Sequence, residues 1–452
     1  MISLLSRRSK KSKAPEPARE AALLAAVEQV ARQTRMSRAE LRVFQTHRLR
    51  ALVEHAYEEI PFYRRKYTAA GFHPSHVRSL ADLERIPLVT KDELRRAHAS
   101  ELRPMRSVAT ARRLASSGST GVPLAILRDE ASLWHFTAYN MLLYYQWCLG
   151  RPIAEVLYFV DFDPQSIDYA LVDLLRTTVG EERFIPVARP VEAFVEALDT
   201  FHPRFVSSYP SSLRNVAIAL DRRGRRNEQL ELLHLTSEML DSNTRTLLAK
   251  VFPRARLVET YTSTEAGLLA HGCPASGHWH VAEENVLCEI VAADGQACDE
   301  VGEIVVTDLT NWTMPMIRYR GLGDLCRWDQ TPCACGTTRR SLRQLEGRRS
   351  DSLLAADGSL LSPYVVIDAM DDVRGIYQYQ VIQQRSGYFT VLVVRDATSP
   401  LSAADVRWQI DEAIGRAVGR MAGCRVEFVL QIPPRSGRHK TPLVCAAWRG
   451  RA

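Results

Sequence analysis

Residues 156–251 constrain the fold most, because short apolar runs alternate there with amphipathic ones. Residues 156–160, 184–187, 205–209 and 230–235 read as strands, and residues 167–179, 191–201, 211–223 and 242–251 read as helices. Such alternation predicts a layered α/β architecture with largely parallel strands. Ligands bind such sheets at the strand C-terminal ends. Upstream the pattern is helical, over 19–35 and over 41–67 with a break at Ile60-Pro61. Thr90, with Glu93 three residues on, has the register of a capping box. A helix over 131–148 carries many aromatics, which at helical spacing are read as core before substrate wall. From Leu257 the texture turns to β, with strands over 282–292, 302–307 and 316–327 and a hairpin signal at Asp294-Gly295. The last hundred residues read as a small α+β unit, with strands over 381–384, 389–394 and 425–430 and a helix over 402–418. The expected class is therefore α/β: a large N-terminal domain of layered sheets with a β-rich subdomain, then a small C-terminal α+β domain. The expected boundaries are a basic disordered tail (1–20), the large domain (21–347), a hinge (348–352) and the small domain (353–452).

Composition excludes several function classes. Hydrophobic residues make up 46% and charged ones 25% of 452 residues, ordinary for a globular protein. No apolar run approaches the ~18 residues that a membrane helix needs, and the start is too short for a signal peptide. Nine cysteines without a secretory signal point to the reducing cytoplasm. Much of the net charge of +7 comes from Arg7, Arg8, Lys10, Lys11 and Lys13. No aromatics are interleaved with them, so they read as a solvated terminus and not a nucleic-acid surface. A monomer or homodimer is expected.

Several short motifs carry chemistry. Ser116, Ser117, Gly118, Ser119, Thr120 and Gly121 combine four hydroxyls with two glycines. Backbone N–H groups in such a turn form an anion-binding concavity, and the hydroxyls add donors for phosphate oxygens. The same composition also makes plain surface turns, and no Gly-Lys-Ser/Thr follows, so this is not a Walker loop. Glu259-Thr260-Tyr261-Thr262-Ser263-Thr264-Glu265 follows a predicted strand. A carboxylate beside hydroxyls and an aromatic ring suits a magnesium–nucleotide site, since magnesium takes one or two carboxylates plus phosphates. Asp324, after Tyr319-Arg320-Gly321-Leu322-Gly323, can accept from ribose hydroxyls. Glu346-Gly347-Arg348-Arg349-Ser350-Asp351 marks the junction, and Gly437-Arg438-His439-Lys440 lies near the chain end.

In this order and at these separations, the motifs resemble the adenylate-forming superfamily of acyl-CoA synthetases, peptide-synthetase adenylation domains and luciferases. More narrowly, the chain resembles the phenylacetate–CoA ligase branch with its capsule-biosynthesis-associated relatives. Ile60-Pro61-Phe62-Tyr63, residues 86–91, Tyr209-Pro210-Ser211-Ser212-Leu213 and Thr236-Ser237-Glu238-Met239-Leu240 extend the likeness over nearly the whole chain. The resemblance implies ATP-dependent activation of a carboxylic acid to an acyl-adenylate, then transfer to a thiol, usually coenzyme A. It implies that residues 116–121 cradle the β- and γ-phosphates, Tyr261 stacks on adenine, and Thr264 contacts the α-phosphate. Glu265 holds Mg²⁺, Ser237 and Glu238 border the nucleotide, Asp324 binds ribose, and Arg348 lies near ribose and phosphate. Lys440, on a mobile C-terminal domain, bridges carboxylate and α-phosphate.

The departures are specific. Val122 stands where the family usually has Lys, the loop before Asp324 is one residue longer, and Ser237-Glu238 lacks the glycine of the usual Ser-Gly-Glu. Gly437 and Lys440 are spread apart. They leave two other readings open: transfer to an amine or carrier protein, and a degenerate, non-catalytic acyl-ligand-binding protein. The acid itself is expected to be aromatic or hydrophobic, in a pocket near 134–145, 207–210 and 260–267.

Cys333-Ala334-Cys335 and Cys273, followed by His278 and His280, would satisfy tetrahedral Zn²⁺. Some members of the branch carry a structural zinc at equivalent positions, which implies Cys273, His280, Cys333 and Cys335. Of the two histidines, His280 fits the Gly-x-x-His pattern better. His234 and His271, in apolar or turn contexts, read as structural.

Overall fold

The computed structural model describes residues 17–106, 111–115, 124–147, 150, 155–160, 167, 181–348, 352–354, 360–419, 422–432 and 443–446. The first sixteen residues of the expected tail, the hydroxyl-rich stretch 116–121 with Val122, most of the helix expected over 167–179, residues 349–351 of the hinge and Lys440 lie outside them. The chain forms two compact units. One comprises Met1–Val156, Phe162–Glu182 and Val258–Gln344; the other comprises Leu157–Asp161, Arg183–Leu257 and Leu345–Ala452.

The first unit opens with helices Pro17–Gln33, Arg38–Glu59 and Pro61–Ala69. Pro61 cannot donate inside a helix, so it starts a new one at the expected break. Thr90 and Glu93 form the expected capping box on the helix Lys91–Arg96. The aromatic-rich helix Glu130–Trp147 is buried around most of its circumference, with Trp134, Phe136, Tyr139 and Tyr144 all inside. The core reading of that helix therefore holds. The unit's sheet runs Val89–Thr90, Tyr319–Arg320, Gly302–Asp308, Asp324–Asp329, Ser341–Arg348, Trp279–Val281, Gly267–Gly272, Arg256–Ser263. Most of these neighbours pair antiparallel, and Val286–Val291 pairs antiparallel with Gly302–Asp308. The strand expected over 316–327 is two strands, interrupted by the turn that carries Gly321 and Gly323. A separate hairpin, Ala111–Ala115 with Ala125–Asp129, flanks the hydroxyl-rich stretch.

In the second unit the order is Leu232–Thr236, Phe205–Ser208, Val156–Val160, Glu182–Pro186. The central pair, Phe205–Ser208 with Leu232–Thr236, is parallel as expected. Helices Val191–Phe201, Pro210–Asp221 and Ser242–Val251 supply the crossovers. Their apolar faces, through Phe194, Leu198, Leu213, Val216, Leu248 and Val251, make one core with the strands. Ile376–Arg385 and Tyr388–Arg395 form a hairpin longer than the sequence pattern marked, extended on its edges by parallel strands Gly423–Phe428 and Val444–Ala446. The helices Pro363–Met370 and Ala403–Val418 cover it.

Candidate active site

The strand Arg256–Ser263 delivers Tyr261 and then turns through Thr264, Glu265 and Ala266. The Ala266 N–H closes this turn by donating to Ser263 Oγ at 3.0 Å, and Gly267, with φ +70°, begins the return strand. The Tyr261 hydroxyl donates to Asp324 Oδ2 at 2.6 Å. The extra residue before Asp324 therefore does not carry it away from Tyr261. Gly323 absorbs the length with φ +74°, a conformation that L side chains rarely adopt. At Gly321 a Cβ would fall 2.2 Å from Tyr319 Cζ, so the chain folds tightly over that ring.

Glu265 is buried, and its Oε1 lies 3.4 Å from Lys91 Nζ. Lys91 is the first residue of the helix that Thr90 caps. A second cation reaches the same turn from below. Arg128 Nη1 donates to the Thr264 and Glu265 carbonyls, each at 3.3 Å, and Nη2 pairs with Asp308 Oδ2 at 2.8 Å. Both side chains of that ion pair are buried. Sequence reading found neither cation. Nothing local in Lys91 points to Glu265, 174 residues away. Arg128 follows the apolar run Leu124-Ala125-Ile126-Leu127 and heads the charged stretch Arg128-Asp129-Glu130, so its burial has no local sign either.

Ser237, Glu238, Arg348 and His234 lie in the second unit and are described there by themselves. Ser237 has φ +68°, left-handed backbone in a non-glycine residue. This backbone sign, which glycine favours, falls within the Ser237-Glu238 motif that lacks the family's glycine. Glu238 accepts from Ser211 N–H at 2.8 Å and from Ser211 Oγ at 3.0 Å, at the start of the helix Pro210–Asp221. Arg348 ends its strand, half-buried. His234 is structural: it is fully buried, its Nδ1 is 2.8 Å from Ser207 Oγ, and burial pushes it down to about 3. In the first unit His271 is likewise structural, pushed down to about 4 by burial and then by His280.

Cys273, His280, Cys333 and Cys335 converge, with all four ligand atoms within 4.8 Å of one another. Cys273 Sγ is 3.6 Å from Cys333 Sγ, and Cys335 Sγ is 3.3 Å from His280 Nε2. Ligands about 2.0–2.3 Å from a tetrahedral zinc stand roughly 3.3–3.8 Å apart, so the donor set fits that ion. Ser341 Oγ lies 2.9 Å from His280 Nδ1 and fixes the ring so that Nε2 faces the sulfurs. His278 instead turns to Asp329, with Nε2 3.4 Å from Oδ2. The His280 alternative is thus the one the geometry brings to the cysteines.

No family model matches the chain. It is 26% identical over 403 residues to the phenylacetate–coenzyme A ligase of Thermus thermophilus, covering 85% of each chain. It is 24% identical over 424 residues to the enzyme of that name from Escherichia coli, covering 88% of this chain and 93% of the relative. Among solved structures, 2-hydroxyisobutyryl-CoA ligase in its postadenylation state matches with a TM-score of 0.78 at 20% identity, over 98% of this chain and 96% of the other. Among the described residues, no helix is long and apolar enough to cross a membrane.

Proposed function

The chain belongs to the adenylate-forming superfamily, in its phenylacetate–CoA ligase-like branch, and from that premise we propose that it activates a carboxylic acid with ATP and passes the acyl group to coenzyme A. A carboxylate oxygen attacks the α-phosphorus of ATP, and pyrophosphate leaves. The thiolate of coenzyme A then attacks the acyl carbon of the adenylate, and AMP leaves. An anion attacking an anion needs charge stabilisation and positioning above all.

The observation that carries the nucleotide reading is the Tyr261–Asp324 hydrogen bond beside the turn bearing Thr264 and Glu265. It joins residues 63 positions apart whose family roles belong to one ligand. Tyr261 offers a ring to adenine, Asp324 a carboxylate to the ribose hydroxyls, and Thr264 a hydroxyl to the α-phosphate. Glu265 is the carboxylate offered to Mg²⁺, which would shield phosphate charge. Ser237, Glu238 and Arg348 complete the proposed nucleotide set, with Ser116 to Gly121 for the outer phosphates and Lys440 for the bridging contact. The domain that carries Lys440, residues 353–452, is proposed to move about a hinge at 348–352. Cys273, His280, Cys333 and Cys335 are proposed to hold a structural Zn²⁺ that fastens two β-loops. Four protein ligands leave no open position for chemistry, and reduced thiolates suit the cytoplasm.

The acid is proposed to be aromatic or hydrophobic. A panel of carboxylic acids, scored by pyrophosphate release, identifies it. AMP release that depends on coenzyme A supports thioester formation. AMP release with an amine or a carrier protein in its place would overturn the acceptor assignment.

A further inference from the structure

We propose that Arg128 is a positioning residue for the nucleotide site, holding the Thr264–Glu265 turn in its binding conformation through the buried Arg128–Asp308 pair. The inference rests on the nucleotide reading of Thr264 and Glu265 above.

Arg128 is among the largest fully buried side chains. A guanidinium there is costly unless it is paired; its two terminal nitrogens are, while Nε is buried without a partner. Asp308 Oδ2 answers Nη2 at 2.8 Å, and Asp308 is itself held by Thr310, whose N–H and Oγ1 donate to Oδ1 at 2.8 and 2.6 Å. That anchor fixes the planar fork. Nη1 then points at two consecutive carbonyls, Thr264 O and Glu265 O. The two residues assigned to the α-phosphate and the magnesium thus have their backbone oxygens tied to one rigid cation. Lysine, a point charge without a fork, cannot reproduce this geometry.

Arg128 also sits on the hairpin that flanks residues 116–121. The same strand is bolted to the segment after Asp308. Asn311 Nδ2 donates to Leu127 O at 2.9 Å, and Thr313 Oγ1 donates to Asp129 Oδ2 at 3.1 Å. The strand Ala125–Asp129 is thus held to the segment after Asp308 and reaches the Thr264–Glu265 turn with its one arginine. Gly267 fits the same account: with φ +70°, a Cβ there would meet Arg128 Nη2 and Phe136 Cδ2, each at 3.5 Å.

Removing Arg128 alone strands the Asp308 charge and risks unfolding, so the test uses R128M/D308N, which removes both charges and keeps an acceptor for Thr310, with R128K beside it. In R128M/D308N the KM for ATP in pyrophosphate exchange should rise on the order of tenfold or more, with the KM for the acid and the melting temperature little changed. R128K should fall between the two proteins. Amide exchange at 264–267 in the ligand-free protein should quicken by a similar factor. An unchanged ATP KM, or equal rises in the ATP and acid KM values, would overturn the positioning role. A wild-type chain that shows no exchange with any acid overturns the proposed function instead. In that case unchanged amide protection at 264–267 in R128M/D308N overturns the role of Arg128, and quickened exchange upholds its hold on the turn.

Discussion

Two constellations in the first unit differ in how they are built. The Cys273, His280, Cys333 and Cys335 cluster is closed. Its four ligand atoms already face one another, each on a strand or tight turn, with Ser341 orienting the only histidine among them. The Tyr261, Glu265 and Asp324 constellation is open. Its members are fixed by contacts around them, Lys91 beside the Glu265 carboxylate and Arg128 beneath its carbonyl, yet they do not complete a coordination sphere by themselves. A closed set of ligands fastens a fold; an open one waits for a substrate. Substitutions in the first should therefore cost stability, and substitutions in the second should cost activity.

The largest expected effect is on the closed site. C333S/C335S should lose stoichiometric zinc and on the order of 4 kcal/mol or more of unfolding free energy, read by metal analysis and denaturant titration. Wild-type protein without zinc, or a variant of unchanged stability, would break the contrast at its stronger end.

A framework group in the second unit comes next and separates stability from activity by pH. His234 is buried neutral, at about 3 against an ordinary value near 6.5. The unfolded chain therefore binds a proton that the folded chain refuses between those values. Stability present above pH 6.5 is lost as pH falls, by about 2 kcal/mol between pH 7 and 5 from this group alone. Denaturant midpoints at the two pH values should show that loss, and H234Q should flatten it. An unchanged slope in H234Q would contradict the assignment.

The open site should show the reverse pattern. D324A should raise the ATP KM by about tenfold while unfolding free energy moves by no more than roughly 1 kcal/mol. Y261F keeps the ring and loses only the hydrogen bond to Asp324, so its effect should be smaller, about 1 kcal/mol or a fewfold in ATP KM. A D324A protein that loses stability and keeps its ATP dependence would merge the two regions into one structural class.

The same contrast decides what the sequence makes legible. The strand–helix alternation of residues 156–251 follows from local periodicity, and the helices Val191–Phe201 and Ser242–Val251 fall where that pattern puts them. Cys-x-Cys and Gly-x-x-His are local too, and the fold closes them into a cluster. The turn at Gly321 and Gly323 splits an apolar run that reads as one strand, because backbone signs are invisible to hydrophobic pattern. Ser237 is left-handed without being glycine, so composition gives no sign of it. Lys91 and Arg128 reach Glu265 and its turn only through tertiary folding. Pairings of that range carry no periodicity, and Arg128, followed by Asp129 and Glu130, reads locally as part of a charged stretch.

The central claim is that this chain adenylates a carboxylic acid. Exchange of labelled pyrophosphate into ATP, measured across an acid panel with the wild-type chain and with K440A, tests it most directly. Acid-dependent exchange in the wild type that K440A loses, while still forming thioester from supplied acyl-adenylate, is the expected result. No exchange with any acid would contradict the claim, and unchanged exchange in K440A would remove Lys440 from it.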